Sequence, residues 1–216
     1  MAGPPPIIAP RTGPDGFERG PVVERRPSTR HELRLPPGQI PTAKWPVLHY
    51  GTVPRFDPKR WSLRVFGEVD RPLTLDYPTA LGRERVELTA DIHCVTRWSR
   101  YDTVFEGFPV APLLREAGAR DEARFAVVHG EQGFTTNMPL EALWAADAIL
   151  ADWADGAPLT PDHGYPLRLV VPSRYFWKSA KWVRGIELTR EDQPGFWERG
   201  GYHNDADPWR EERFQP

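Results

Sequence analysis

Alternation of apolar and polar positions is the main pattern along this chain. In WSLRVF (residues 61–66), Trp61, Leu63 and Val65 occupy every second position, as in a half-buried strand. In RVELTADIHC (85–94), every second residue from Val86 to Cys94 is apolar. Since successive side chains of a strand point to opposite faces, this spacing places the Cys94 sulfur on an apolar face, at its end. Further strands are predicted in ARFAVVHG, AILADWADG, YPLRLVVPS and KWVRGIELT.

Helices are predicted to be few and short. VAPLLREAGA (110–119) has the pattern of a helix, and a second short helix is predicted to begin near Asp76. In MPLEALWAA (138–146), Pro139 suits the first helical position, where a missing N–H is tolerated. The 25 prolines and 18 glycines favour turns between short strands over long helices. These patterns predict a β-rich α+β fold with mixed sheets.

The length of 216 residues is enough for one large hydrophobic core. Residues 1–40 are rich in Pro, Gly and Arg without sustained periodicity, and we interpret them as an extended N-terminal arm that lies over the domain or is partly disordered. Residues 41–216 then form the main domain, and its aromatic and charged C-terminal tail is expected to wrap the surface.

Charge and composition exclude several classes of partner. The formal net charge is -2, from 28 Lys plus Arg against 30 Asp plus Glu, which gives no electrostatic reason for binding nucleic acid or an anionic membrane. No apolar run is long enough to span a bilayer. The N-terminus lacks the pattern of a signal peptide, and the single cysteine cannot form an internal disulfide, so a cytoplasmic protein is expected.

Cys94 is the first candidate for chemistry. An unpaired cysteine on the apolar face of a strand most often behaves as a small buried hydrophobic residue. Nearby cations such as Arg97 would instead stabilise a thiolate, the form that attacks electrophiles and binds metals. A zinc site needs three or four Cys or His at close spacing, and the sequence contains no such cluster.

The segment PDHGYPLRLVVPSRYFWKSAKWVRGIEL (161–188) is the second candidate, because cations interrupt its apolar strand residues. Such a segment could form a cradle for an anion, or it could be a solvated strand edge that carries protective charges. His49 before Gly51 suits a loop that approaches a ligand, and His129 ends a strand beside a glycine. For both histidines a buried structural role is the alternative. The chain contains no GxSxG, P-loop, GxGxxG or HExxH motif.

Together these segments resemble the molybdopterin-binding domain of the sulfite oxidase family over roughly residues 40 to 190. The most specific part is DHGYPLRLVVPSRYFWKSAKWV, which is similar to the family's H/N-G-x-P-x-R-x-V-x-P block followed by (S/H)-x-K-W. FEGFPVAPLL and the cysteine at the end of a strand also fit the family pattern.

The resemblance implies a β-rich mixed-sheet domain that binds Mo-molybdopterin, with Cys94 as the protein ligand of molybdenum and the catalytic residue. A soft thiolate suits this metal, and one protein ligand suffices where an organic dithiolene supplies the others. The resemblance also implies that the cofactor is contacted by Leu48, His49, His129, His163, Arg168, Ser179, Ala180 and Lys181.

The resemblance further implies an oxidoreductase that transfers an oxygen atom to or from a small substrate such as an S-oxide, an N-oxide or sulfite. An external electron carrier is then needed, since the sequence has no haem or iron–sulfur motif. Sulfite oxidases place a catalytic tyrosine in the region that matches AADAILADW (145–153), where this chain has none, while Arg97 and Arg100 could bind an oxyanion. The alternative is a non-catalytic module that binds an anion or a partner protein and keeps Cys94 as a buried structural thiol.

Overall fold

The computed structural model, which describes residues 8–28 and 32–216, contains two mixed β-sheets and one small two-stranded sheet. In chain order its strands are β1 (Arg11–Thr12), β2 (Glu18–Arg19), β3 (Val22–Pro27), β4 (Ile40–Pro41), β5 (Ser62–Gly67), β6 (Leu73–Asp76), β7 (Arg85–His93), β8 (Trp98–Pro109), β9 (Phe125–Gly130), β10 (Thr135–Pro139), β11 (Ile149–Ala154), β12 (Ala157–Pro158), β13 (Arg168–Val170) and β14 (Val183–Thr189). Its α-helices are α1 (Tyr77–Leu81), α2 (Val110–Ala117), α3 (Glu141–Trp144) and α4 (Phe196–Arg199).

The five-stranded sheet has the order β10-β9-β14-β5-β6, in which only the central pair β14 and β5 is parallel. The other sheet is seven-stranded. Five of its strands follow the order β12-β11-β8-β7-β3, and the remaining two pair at its sides, β13 with β11 and β4 with β8. The predicted α+β, mixed-sheet architecture is thus confirmed. Among the described residues, none of the helices has the length and hydrophobicity needed to cross a bilayer.

The apolar residues that alternate along β5 and β7 are buried, as predicted. Leu63 and Val65 are buried in the main core, which lies mostly against the five-stranded sheet. The alternating residues of β7 pack in a second cluster against β8, β11 and β13, formed by Val86, Leu88, Ala90, Ile92, Phe105, Ile149, Ala151 and Val170. The helix predicted near Asp76 is α1, and the Asp76 carboxylate caps it by accepting a hydrogen bond from Thr79 N at 2.9 Å.

The prediction for Pro139 is wrong. This proline is the last residue of β10, paired with Phe125, and α3 begins two residues later at Glu141. Because β10 is the outer strand of its sheet, a residue without an N–H can be accommodated there without loss of a ladder hydrogen bond.

Part of the predicted N-terminal arm belongs to the seven-stranded sheet, because β3 pairs in parallel with β7. Arg19 is fully buried and forms ion pairs with Asp15 and Asp152, which attaches this segment to β11. The division of the chain at residue 40 remains a prediction, and residues 1–7 and 29–31 of the predicted arm lie outside the described residues.

Replacement of Asp15 by asparagine should weaken the attachment of the N-terminal segment. Asp15 accepts hydrogen bonds from the hydroxyls of Tyr77 at 2.7 Å and Tyr165 at 2.8 Å. Burial by itself would raise the pKa of Asp15, but these bonds and those from Arg19 outweigh it and hold the pKa well below its usual range. We expect the free energy of unfolding at pH 7 to fall by about 3 kcal/mol in the variant.

The pH dependence distinguishes this effect from a general loss of packing. Since the pKa of Asp15 is lowered in the folded state, its stabilisation is present above the pKa of an unfolded aspartate, about 4, and is lost as the pH falls below it. Urea unfolding of the unaltered protein and of Asp15→Asn should therefore differ at pH 7 and converge in acid. Asp57→Asn, at an exposed carboxylate, serves as the control and should change little. A difference that is the same at every pH would contradict the prediction.

Candidate functional site

Cys94 begins the turn that joins β7 to β8. Its backbone N–H donates to Trp98 O at 2.9 Å, and its carbonyl accepts from Arg97 N at 3.0 Å. Gln39 Nε2 donates to the same carbonyl at 2.9 Å. Because β7 ends at the preceding residue, the side chain of Cys94 lies at the end of the buried apolar face, and Cys94 is 7% exposed.

The thiol of Cys94 has a single close polar neighbour among the described side chains, Thr96, whose Oγ1 lies 3.1 Å from Sγ. Burial raises the pKa of the Cys94 thiol, and the hydrogen bonds from Thr96 and the charge of Arg213 only partly oppose this. A bound metal displaces the thiol proton, because the thiolate is the ligand.

A cavity of about 240 Å³ is lined by Cys94 and by residues that lie far from it in the sequence. Seven of the residues named from the resemblance line this cavity: Leu48, His49, Cys94, Arg168, Ser179, Ala180 and Lys181. The structure therefore brings the N-terminal loop, the cysteine and the basic segment together. We call this space the cysteine cavity.

The two other histidines named from the resemblance do not line the cysteine cavity. His163 packs on the indole of Trp45, with ring centroids 4.2 Å apart, and burial lowers its pKa. Nε2 of His129 lies 2.9 Å from Glu187 Oε2 on the neighbouring strand of the five-stranded sheet. Contact of either histidine with the cofactor stays a prediction.

The arginines near the cysteine in sequence are also outside the cavity. Arg100 donates to Asp155 Oδ2 at 2.6 Å, and Arg97 lies in the turn with a φ of 72°. Neither residue lines the cysteine cavity. The structure thus gives no support to the expectation that they bind an oxyanion beside Cys94.

Arg168, the first residue of β13, is 1% exposed and has no carboxylate partner in the described parts of the chain. Its Nη1 donates to His163 O at 2.8 Å and its Nη2 to Ser179 O at 3.0 Å, while Nε makes no hydrogen bond. Burial lowers the pKa of Arg168 to about 9. Its guanidinium also lies 4.1 Å from the ring of Phe176. A buried guanidinium with carbonyl and aromatic partners but no carboxylate is well suited to bind an anion that neutralises its charge.

Lys181 joins the basic segment to the N-terminal loop, because its Nζ donates to Leu48 O at 2.8 Å. Burial and the nearby charge of Arg168 lower the pKa of Lys181 to about 7. Gly164, with a φ of 109°, packs against both cations, and a Cβ there would lie 3.1 Å from Arg168 Cβ and 3.2 Å from Lys181 Cβ. Only glycine combines this backbone conformation with so close an approach.

The cavity fits the cofactor that the resemblance implies. Cys94 offers one soft ligand, while Arg168, with its unpaired Nε, and Lys181 offer two cations for a phosphate. No group of three or more His, Cys, Asp or Glu side chains that could hold a metal ion occurs in residues 8–28 and 32–216. The molybdenum site proposed from the sequence therefore rests on one protein ligand together with the donors of the cofactor.

Sequence reasoning missed the aromatic wall of the cavity. The wall includes Trp45, Tyr50, Trp98, Trp177, Trp197 and Tyr202. Two of these residues come from the C-terminal tail, whose lack of periodicity gave no means of placing them. The ring centroids of Trp197 and Tyr202 are 5.0 Å apart, and those of Trp177 and Tyr202 are 5.2 Å apart.

A buried ion pair holds the tail in this position. Lys178 Nζ and Glu198 Oε1 are 2.7 Å apart, and both side chains are fully buried. Trp177 Nε1 donates to the same carboxylate oxygen at 3.0 Å. The tail therefore forms part of the cavity wall in addition to covering the surface.

Comparison with known proteins gives the family. A family model described as "Oxidoreductase molybdopterin binding domain" matches residues 50–197. The uncharacterized oxidoreductase YuiH of Bacillus subtilis (strain 168) is 49% identical over 182 residues, which cover 84% of this chain and 92% of YuiH. The sulfane dehydrogenase SoxCD from Paracoccus pantotrophus has the same fold, with a TM-score of 0.63 at 24% identity over 74% of this chain and 47% of the SoxCD chain.

The family model and YuiH confirm the resemblance stated from the sequence, and the family model confirms the cofactor, Mo-molybdopterin, that it implies. The chain belongs to the family of oxidoreductases that have a molybdopterin-binding domain.

Proposed function

We propose that this protein reduces a small neutral S-oxide or N-oxide by oxygen-atom transfer, with Cys94 as the ligand of molybdenum. One observation carries the proposal: the cavity lined by Cys94 has aromatic rings over much of its wall. Its arginine and lysine, Arg168 and Lys181, bond backbone carbonyls and remain available to an anionic cofactor.

Bound Mo-molybdopterin supplies two-electron oxygen-atom chemistry. The chain's own groups bind and enclose it. Arg168 and Lys181 hold its anionic groups, the Cys94 thiolate anchors the metal, and the indoles of Trp177 and Trp197 exclude water. An external one-electron carrier completes the cycle.

The aromatic wall favours a neutral substrate over an anionic one. Sulfite is an anion and would need a cation besides those that we assign to the cofactor, Arg168 and Lys181, and neither Arg97 nor Arg100 lines the cavity. A neutral S-oxide instead presents alkyl groups and a polarisable sulfur, which make favourable contacts with aromatic rings. Reduction of an oxide is therefore the direction that we propose.

The test is a pair of steady-state assays on protein made in a molybdenum-sufficient host that synthesises the cofactor. Reduced viologen with a panel of S-oxides and N-oxides should show turnover, whereas sulfite with an oxidised dye should show none. Protein without molybdenum and without turnover would favour the alternative, a non-catalytic module with Cys94 as a buried thiol. Sulfite oxidation without oxide reduction would contradict the proposed direction.

Truncation of the aromatic wall should weaken substrate binding. In Trp197→Ala we expect the KM for the best S-oxide to rise by about tenfold, because contacts of this kind are each worth up to about 1.5 kcal/mol. Molybdenum content should stay unchanged. Trp144→Ala, at an exposed tryptophan outside the cavity, is the matched control and should keep the KM of the unaltered protein. An equal rise in both variants would show that the wall does not contact the substrate.

A further inference from the structure

A second cavity, of about 310 Å³, lies beside Trp182. It is lined by residues 54–57 and 60–61, by Glu131, by Tyr165 and Pro166, and by Trp182 and Arg184. None of the residues that the resemblance implies as cofactor contacts lines it, although Tyr165, Pro166 and Trp182 belong to the segment that carries the resemblance. Trp182 also lines the cysteine cavity, so one indole belongs to the walls of both spaces.

The second cavity is basic although the chain as a whole is acidic. Arg55, Arg60 and Arg184 line it, and Lys59 is exposed on the same segment. We call these four residues and the cavity the basic cleft. Its carboxylates are Asp57 and Glu131, and Arg184 already pairs with Glu131. The local excess of positive charge is opposite in sign to the net charge of -2.

The guanidinium groups of Arg55 and Arg60 are the cations of the basic cleft that are available to a partner. Both side chains are exposed, and neither forms an ion pair with a described residue. Exposed cations around a surface cleft suit the broad negative face of a protein more than a small buried anion, which needs desolvated donors to bind tightly. Charge complementarity therefore favours an acidic protein partner.

Trp182 is held firmly between the two cavities. Its φ of 53° lies in the left-handed region, which costs a residue with a side chain about 1 kcal/mol or more. Its Nε1 donates to Pro161 O at 2.8 Å, and the ring of His49 packs at 5.7 Å from its indole. A partner seated in the basic cleft would therefore lie against a residue that also lines the cysteine cavity.

We propose that the basic cleft is the docking site of an acidic one-electron carrier protein of the flavin or iron–sulfur type. This inference rests on the proposed function, because reduction of an S-oxide consumes two electrons and two protons and yields a sulfide and water. Two carrier molecules are each oxidised by one electron in every turnover. Complexes between redox partners use small interfaces and depend on charge complementarity for their rate of association.

The test uses purified flavodoxin and [2Fe–2S] ferredoxin as probes, with a charge-reversal variant, Arg55→Glu/Arg60→Glu. We expect the variant to bind the preferred carrier at least about tenfold more weakly at low ionic strength. Carrier-driven kcat/KM should fall by the same factor, while viologen-driven turnover stays unchanged. The control is Arg71→Glu/Arg115→Glu, which makes the same charge change at exposed residues outside both cavities and should bind the carrier normally.

The binding measurement separates this inference from the proposed function. If viologen drives oxide reduction but neither carrier binds, or the variant binds as tightly as the unaltered protein, the docking site is disproved and the proposed function stands. If viologen-driven turnover is absent and a carrier still binds through Arg55 and Arg60, the proposed function fails and the docking site stands. Saturable binding of inorganic phosphate that requires both arginines, without carrier binding, would identify a small-anion site and overturn the proposal.

Discussion

Replacement of Cys94 by serine should lower kcat/KM for oxide reduction by more than about 100-fold. Loss of residues that only orient metal ligands typically lowers activity by 10- to about 100-fold, so loss of the ligand itself should exceed that range. A serine hydroxyl is a hard donor and binds this metal differently from a thiolate. The side chain lies at the end of the β7 apolar face. Serine is about as large as cysteine, so the substitution should not disturb the packing there.

The visible spectrum is the decisive second measurement. Coordination by the Cys94 sulfur would contribute sulfur-to-metal charge-transfer absorption in addition to that of the dithiolene, and Cys94→Ser should remove the contribution of Cys94 from the spectrum per bound molybdenum. Ile92→Val is the matched control, because it changes the same buried face two residues earlier and leaves the thiol in place. If Cys94→Ser retains both the absorption bands and the activity, the thiol is a structural residue and the ligand assignment is wrong.

Replacement of Arg168 by methionine should separate cofactor binding from stability. The buried guanidinium has carbonyl acceptors at His163 and Ser179 and lies 4.1 Å from the Phe176 ring, but no carboxylate of the described chain neutralises its charge. Methionine removes an unfavourable buried charge but leaves two carbonyls without donors, and we expect the free energy of unfolding of the cofactor-free protein to change by no more than about 1 kcal/mol. Cofactor retention should fall by about 100-fold through loss of a charge-assisted contact.

Arg85→Met is the control, in which stability should change and cofactor content should not. Arg85 is also 1% exposed, but it forms an ion pair with Asp152 and does not line the cysteine cavity. Breaking this buried pair should lower the free energy of unfolding by about 3 kcal/mol, with molybdenum per folded chain unchanged. Urea unfolding of the cofactor-free proteins and pterin extraction from the purified ones make the comparison. Equal cofactor content in Arg168→Met and the unaltered protein would show that Arg168 does not hold the cofactor.

Local patterns along the chain determined the elements that lead to the site. Alternation placed Leu63, Val65 and the β7 residues in the core, and the same period placed Cys94 at the end of a buried face. These predictions succeed because a strand's side chains alternate regardless of which strand lies beside it. The order of residues in the basic segment was also sufficient to indicate the family and its cofactor.

Only the tertiary structure decided which candidates meet. Arg168 and Lys181 line the same cavity as Cys94, and Trp197 of the tail lines it as well. His129 and His163 do not line this cavity. The tertiary structure also made Pro139 the end of an outer strand. The reason is that strand order, and a tail held by the buried pair of Lys178 and Glu198, depend on contacts between distant residues, which no local period encodes.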